Sequence, residues 1–281
     1  MFRLKHTLLN LFFILIINLL FCAYPPGILA GDTIRINGSG TCLEMIKPLM
    51  EAYGKNTRGV SFQVEKSWGS SGAIKALLAG AIDIAIVARP LKPEEIARGG
   101  KLENYGKTPL VVITEKKVSA KNISTRELED IYSGKTMKWP NGETIRVILR
   151  PNEETDMKIL KGLSPGMAGA VAQAHDRRGM LIAMTDSESI MAVSRTTGGI
   201  GTATLTHVLI GKLPLNILAL NGVNPSRENL ANGTYPLSKD INFVTTGKLS
   251  HAAAKFLKFI YSNKGCSIAE KNGVLIAMEN K

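Results

Sequence analysis

From residue 33 onward the chain alternates between two hydrophobic rhythms. Thr33-Ile34-Arg35-Ile36 and Ser61-Phe62-Gln63-Val64-Glu65 put apolar side chains at every second position, the period of a strand with one buried face. Residues 43–53 and 251–261 instead repeat at three and four positions. In the second stretch Ala252, Ala253, Phe256, Leu257 and Ile260 share one side, which predicts an amphipathic helix. Ile82-Asp83-Ile84-Ala85-Ile86-Val87 has the length and apolar character of a buried strand. Further strands are predicted at 110–114, at 144–149 after the Asn141-Gly142 turn, and at 241–245. Helices are predicted at 73–79, 125–132 and 187–194, the middle one opened by a Ser124/Glu127 capping pair. This strand–loop–helix alternation predicts parallel sheets covered by helices. No internal repeat, low-complexity tract or long linker occurs after residue 31.

Ligands of open α/β sheets bind beyond the carboxyl ends of the strands. That rule points to the loops after Ile36, Glu65 and Leu149. Two of these loops share one chemistry. Gly38-Ser39-Gly40-Thr41 and Gly69-Ser70-Ser71-Gly72 each come after a strand and open a helix. Unpaired first-turn N–H groups and the helix dipole attract an anion there, hydroxyls add neutral donors, and glycine lets the anion approach the backbone. The plainer reading is that each is a capping turn. Arg150, at the end of the third strand, either forks onto two oxygens of an anion or makes a surface ion pair with Glu153 or Glu154.

The first thirty residues have another pattern. Arg3 and Lys5 precede an apolar run from Leu8 to Ala23, then Pro25-Pro26 and a small-residue exit at Ala30. This is the layout of a cleaved secretory signal, residues 1–30. The run is short for a membrane span and is interrupted by Asn10 and Asn18. Lipidation at Cys22 is disfavoured by the bulky Phe21 before it. Loss of this segment, which carries two basic residues and no acid, lowers the net charge from +12 to +10. A basic exported protein suits an anion, an anionic surface or nucleic acid as partner. The interleaved aromatics of a single-strand binder are absent, so nucleic acid is not expected. Cys42 and Cys266 remain after export, either bridged or as two buried thiols.

Catalytic and metal motifs are missing. Neither glycine-serine loop ends in the Gly-Lys-Ser/Thr of a phosphate-binding NTPase loop. There is no Gly-x-Ser-x-Gly elbow. His175, His207 and His251 lack metal-ligand spacing. No metal, cofactor or enzymatic activity is therefore expected, and a periplasmic phosphoryl-transfer enzyme lacks its nucleophile and metal ligands.

Five stretches taken together are more specific: GSGTCLEMIKPL, WGSSGAIKALLAGAIDIAIVARPLKPEE, LEDIYSGKTMKW, VSRTTGGIGTATL and YPLSKDINFVTTGKLSHAAAKFLKFIYSNKG. In this order they resemble the phosphate-binding proteins of bacterial ABC importers, across nearly all of residues 33–276. The resemblance implies an α/β, two-lobed periplasmic-binding-protein fold of type II with the ligand cleft between lobes. Residues 31–113 and 240–281 would form one lobe and 114–239 the other. It implies a monomer that captures an oxyanion, phosphate first, outside the cytoplasmic membrane and delivers it to an ABC permease. A sensory or scavenging module without a permease, and another oxyanion such as molybdate or tungstate, remain alternatives. The implied anion contacts are Ser39, Gly40, Thr41 and Cys42 in the first loop, Ser70, Ser71 and Gly72 in the second, and Arg150. The family has Ser-Gly-Thr after its arginine, whereas this chain has Glu154-Thr155-Asp156. Asp156 is accordingly expected either to accept a ligand proton or to mark a different ligand. Some members also place an aspartate just before their Ala-Pro-Leu stretch to accept the ligand's proton; the matching position here is Ala88, followed by Arg89.

Overall fold

The computed structural model describes residues 32–277, so the proposed signal segment lies outside the described residues. The chain opens with β1 (Asp32–Gly38), α1 (Gly40–Gly54), β2 (Val60–Val64), α2 (Gly69–Leu78), β3 (Ile84–Val87) and the short α3 (Pro93–Ala97). The alternation read in the sequence is real. Ile34 and Ile36 are buried while Arg35, between them, ion-pairs with Asp83 at 2.8 Å. Leu43, Ile46, Leu49 and Tyr53 form the buried stripe of α1. Both helices start earlier than the apolar period predicts, because Gly40-Thr41 and Gly69-Ser70-Ser71-Gly72 are already helical. The second glycine-serine segment is therefore the first turn of its helix, while the first one ends β1 at Gly38, caps α1 at Ser39 and enters the helix at Gly40.

The middle of the chain is β4 (Lys101–Glu115), β5 (Asn122–Ile123), α4 (Thr125–Ser133), β6 (Arg146–Leu149), α5 (Thr155–Lys161), α6 (Pro165–Asp176) and β7 (Leu181–Ile182). Next come α7 (Asp186–Arg195), β8 (Gly199–Thr204), α8 (Leu205–Gly211), β9 (Leu215–Ile217), β10 (Ala219–Leu220) and α9 (Arg227–Ala231). The chain then returns as β11 (Ser238–Thr245), α10 (His251–Ile260), α11 (Asn263–Lys271) and β12 (Leu275–Ile276). The capping pair of α4 forms as expected. Glu127 N–H donates to Ser124 Oγ at 3.2 Å, Ser124 N–H donates to Glu127 Oε2 at 2.7 Å, and Gly134 ends the helix at φ 82°.

The strand order is β2-β1-β3-β11-β4-β8-β6-β7, with β9 and β12 also paired to β4. Pairing is parallel within β2-β1-β3 and within β8-β6-β7, but β11 runs antiparallel to β3 and β4, and β8 antiparallel to β4. The all-parallel expectation fails at the centre of the sheet. There β4 runs against both β11 and β8, and it is 15 residues long, not the five predicted. Its first part, residues 101–109, lies beside β11, and residues 110–114 lie beside β8. The polar residues Lys101, Glu103, Asn104 and Lys107 hide that first part from a hydrophobicity pattern, yet the ladder satisfies their backbone groups. Gly106 is needed where β12 crosses, since a Cβ there would collide with the Leu275 carbonyl.

The two parts of β4 pack into different clusters. Its first part joins, through Tyr105, a cluster with Ile34, Ile46, Leu49, Ile84, Phe243 and Phe256. Its second part is covered on both faces: Leu110 and Val112 lie with Leu128, Tyr132, Leu149, Met157, Val171 and Ile200, and Val111 and Ile113 with Ile148, Ile190 and Val193. A fully buried leucine or isoleucine stabilises by about 1.5–3 kcal/mol, so each lobe carries its own supply of burial. Cys42 and Cys266 are not bridged to each other. Among the described residues no helix is long and apolar enough to cross a membrane.

Candidate functional site

The carboxyl ends of β1 and β6, the start of α7 and the first residues of β11 meet in a buried cluster of charges. Ser39 caps α1, its Oγ accepting from Cys42 N–H at 3.4 Å, and Ser39 N–H is tied to the Ile86 carbonyl at 3.1 Å. With the cap fixed, the N–H of Thr41 points out of the first turn. It donates to Asp186 Oδ2 at 2.8 Å, and the Thr41 hydroxyl donates to the same oxygen at 3.3 Å. Gly40 makes the approach possible: a Cβ there would stand 2.8 Å from that oxygen. Thr204 Oγ1 donates to Thr41 Oγ1 at 3.2 Å and accepts from His207 N–H at 3.4 Å. The three donors thus form a chain that ends on the carboxylate and polarises toward it.

The other oxygen of Asp186 faces cations. Lys239 Nζ lies 3.2 Å and Arg150 Nη2 3.4 Å from Oδ1. Lys239 also pairs with Asp156 Oδ1 at 2.6 Å. Arg150 Nη1 donates to the Ala183 carbonyl at 2.6 Å, and Glu154 lies 3.8 Å from Nη2. Arg150, Asp156, Asp186 and Lys239 are all buried, at 3, 2, 7 and 2% exposure. Two cations and two carboxylates therefore balance, as burial demands. Arg150 Nε, also buried, has no hydrogen-bond partner among the described residues.

This environment fixes the charge states. Burial by itself would raise the Asp186 pKa, but Lys239, Arg150 and the Thr41 N–H outweigh it and hold the carboxyl well below its usual range. Burial would lower Lys239, but Asp156 and Asp186 outweigh that and raise it. His207 shifts the other way: burial dominates over Glu44 and Asp186 and lowers its pKa, so it is neutral at pH 7. Burial pushes the Cys42 thiol up to about 12, which makes it an uncharged wall.

The sequence-predicted residues divide into two sets. Ser39, Gly40, Thr41, Arg150 and Asp156 converge on this cluster, with Cys42 buried behind the cap. Arg150 is not the surface partner of Glu153; it is buried and holds Asp186. Asp156 faces inward, and its charge is matched by Lys239. The second set lies apart in its contacts. Ser70 Oγ accepts from Ala88 N–H at 3.1 Å. Ser71 is exposed and accepts from Arg89 Nη2 at 3.1 Å and Nε at 3.3 Å, while Arg89 Nη2 reaches Glu95 at 2.7 Å. Gly72 packs on Trp68, whose Cβ a side chain would meet at 2.9 Å. A bonded strap joins the two loops: Asn37 Oδ1 accepts from Trp68 N–H at 3.0 Å, and Ser67 Oγ donates to the Gly38 carbonyl at 2.7 Å. Asp186 and Lys239 are the residues that sequence reasoning missed. An acid in the first turn of a helix reads as a dipole partner, and a lysine beside Asp240 reads as a solvated strand position. Neither gives a local sign of a bond formed across 53 or 145 residues of chain.

Four cavities lie away from this cluster. The clefts beside Arg146 and Met137, beside Arg227, beside Arg35 and Lys248, and beside Gln63 include none of Thr41, Arg150, Asp156, Asp186 or Lys239. Among the described residues no group of three or more His, Cys, Asp and Glu side chains is placed to hold a metal. The cluster is thus a closed set of oxyanion donors: a helix N-terminus, a hydroxyl, a guanidinium and an ammonium, all aimed at two carboxylate oxygens.

Comparison with known proteins agrees with this architecture. The phosphate-binding protein PstS of Borreliella burgdorferi is 26% identical over 255 residues, covering 86% of this chain and 89% of that protein. Protein SphX of Synechococcus elongatus is 29% identical over 256 residues, covering 83 and 74%. A substrate-binding protein from Clostridium perfringens, solved with bound phosphate, superposes with a TM-score of 0.73 at 22% identity over 88% of this chain and all of that one. An ABC-type phosphate transport receptor from Vibrio cholerae superposes with a TM-score of 0.59 at 20% identity, over 88% of this chain and all of that one. Residues 28–264 match the PBP superfamily domain, and the chain belongs to that family of two-lobed solute-binding proteins.

Proposed function

We propose that the protein is an extracytoplasmic solute receptor that captures an oxyanion, phosphate first, between its lobes and presents it to an ABC permease, without catalysing a reaction. The observation that carries this is the convergence on one buried point of Thr41 from one lobe with Arg150 from the other, joined by Lys239 at the start of β11. Each charged donor contributes about 1.5–3 kcal/mol to a hydrogen bond with an anion. Micromolar affinity corresponds to about −8 kcal/mol, the same order as the gross contribution of hydrogen bonds from Thr41, Arg150 and Lys239 to an anion, about 4.5–9 kcal/mol before ordering costs. The names of the relatives, PstS and the phosphate transport receptor among them, support phosphate over other oxyanions. The layout of residues 1–30 supports export by a cleaved signal, and the chain acts as a monomer. The sheet pairing supports lobe joins within β4 near Pro109 and at Leu237–Ser238, a few residues before 113 and 239. The closed arrangement about these joins is held by an anionic group that contacts both lobes.

The test is calorimetry of the exported protein with phosphate, arsenate, sulfate, molybdate and tungstate, alongside Arg150→Ala. Phosphate is expected to bind in the micromolar range or tighter, and the variant more than tenfold more weakly. Binding of molybdate or sulfate without phosphate would overturn the ligand. Unchanged phosphate affinity in Arg150→Ala would overturn the site.

A further inference from the structure

Asp186 belongs to α7, yet its carboxylate bonds across to other elements. Its Oδ2 takes the N–H of Thr41 on α1, 145 residues away in sequence, and its Oδ1 takes Lys239 and Arg150. The cap of α7 is supplied instead by Thr185, whose Oγ1 accepts from Glu188 N–H at 3.1 Å. A first-turn acid serving its own helix would have no need to cross the interface. The contacts of Asp186 are those an oxyanion would make: a first-turn N–H, a hydroxyl, an ammonium and a guanidinium. Gly40 leaves room for the carboxylate oxygen itself.

We propose that Asp186 is an internal occupant of the anion site, a tethered carboxylate that competes with the dissolved ligand and holds the lobes together in its absence. The inference rests on the oxyanion reading of the site. It makes Asp186 the residue that sets affinity and selectivity. With Asp186 in place, Arg150 and Lys239 are balanced by Asp156 and Asp186, so an entering anion meets a neutral, filled cluster. With Asp186 withdrawn, the buried cluster carries one net positive charge, offset in part by the half-exposed Glu154 at 3.8 Å from Arg150, so a singly charged oxyanion such as dihydrogen phosphate fits it better than sulfate. The fraction of molecules with Asp186 withdrawn multiplies the intrinsic affinity, so an occupied site weakens apparent binding by that same factor. Lys66 and Glu188, 3.7 Å apart, add a second tie between the two lobes. Both of those side chains are solvent-exposed, so this tie adds little energy.

The experiment compares wild type with Asp186→Ala and the isosteric Asp186→Asn. Phosphate affinity is measured by calorimetry, and the radius of gyration by small-angle scattering with and without phosphate. Both variants are expected to bind phosphate at least tenfold more tightly than wild type, about 1.4 kcal/mol. Their free forms are expected to be more extended than wild type and to contract when phosphate is added, whereas wild type stays compact in both states. If wild type binds phosphate and the variants bind it no more tightly, the inference fails while the oxyanion reading stands, because Asp186 is then a wall of the ligand site. If neither wild type nor the variants bind phosphate or sulfate, the oxyanion reading fails and the inference falls with it.

Discussion

Lys239→Met removes one charge from the cluster while keeping most of the side-chain volume. At an effective dielectric of about 20, an ion pair at 2.6 Å is worth about 6 kcal/mol and one at 3.2 Å about 5 kcal/mol. Returning a buried ammonium to water on unfolding offsets several kcal/mol of this. The substitution also leaves Asp156 and Asp186 buried with Arg150 as the remaining cation bonded to Asp186. Removing one partner of a buried pair typically costs about 3–5 kcal/mol. For a chain of this size each kcal/mol moves Tm by about 2–4 °C, so a fall of about 6–20 °C is expected at pH 7. The loss has a pH signature. A stranded carboxylate is relieved by protonation, so the gap between variant and wild type should narrow as pH falls from 7 to 4. Adding Asp156→Asn to Lys239→Met should recover part of the loss in a double-mutant cycle. Urea denaturation at both pH values gives all three numbers. A loss below about 1 kcal/mol at pH 7, or a gap that does not change with pH, would refute the claim that Lys239 neutralises this cluster.

Gly40→Ala puts a methyl group 2.8 Å from Asp186 Oδ2, so crowding should cost about 1–3 kcal/mol by chemical denaturation; a neutral effect would mean that Asp186 is not seated there. His207 has a lowered pKa because burial opposes its charge. Its folded state takes up a proton less readily than the unfolded chain, so stability present above about pH 6.5 should be lost as the pH falls below that value. His207→Gln should remove that slope, which urea melts at pH 7 and 5 will show. Asp186 is lowered as well, so its share of stability is fully present above about pH 4 and is lost only in stronger acid.

The fold was readable wherever one face of an element alone is buried. The stripes of α1 and α10, the alternation of β1 and the capping pair of α4 all fall within a few residues of their predicted places. Elements buried by pairing rather than by side-chain pattern were not readable. The first part of β4 is polar in sequence and becomes a strand because β11 lies beside it. The small-residue helix α6, with Gly166, Ala168, Gly169 and Ala170, lacks a strong stripe. At the site, the glycine-serine motif and the arginine carried their message locally, since both are recognised by their position at the carboxyl end of a strand. Asp186 and Lys239 owe their place to register. Thr41, Asp156, Asp186 and Lys239 meet only once β11 has come between β3 and β4, and no short window of sequence encodes that.

The late return of β11 also bears on the order in which the molecule takes shape as it leaves the ribosome. Residues 110–237 form a continuous stretch with their own core, and nothing in that core waits for the end of the chain. The other core does wait: Phe243, Ala253, Phe256 and Ile260 are part of it, and β3 and β4 share no neighbour until residues 238–245 arrive. The half that emerges first is therefore the half completed last. Until synthesis is nearly over, the nascent chain presents the apolar faces of β1, β3 and α1 uncovered. That places its window for chaperone capture at the start of the chain rather than at its end.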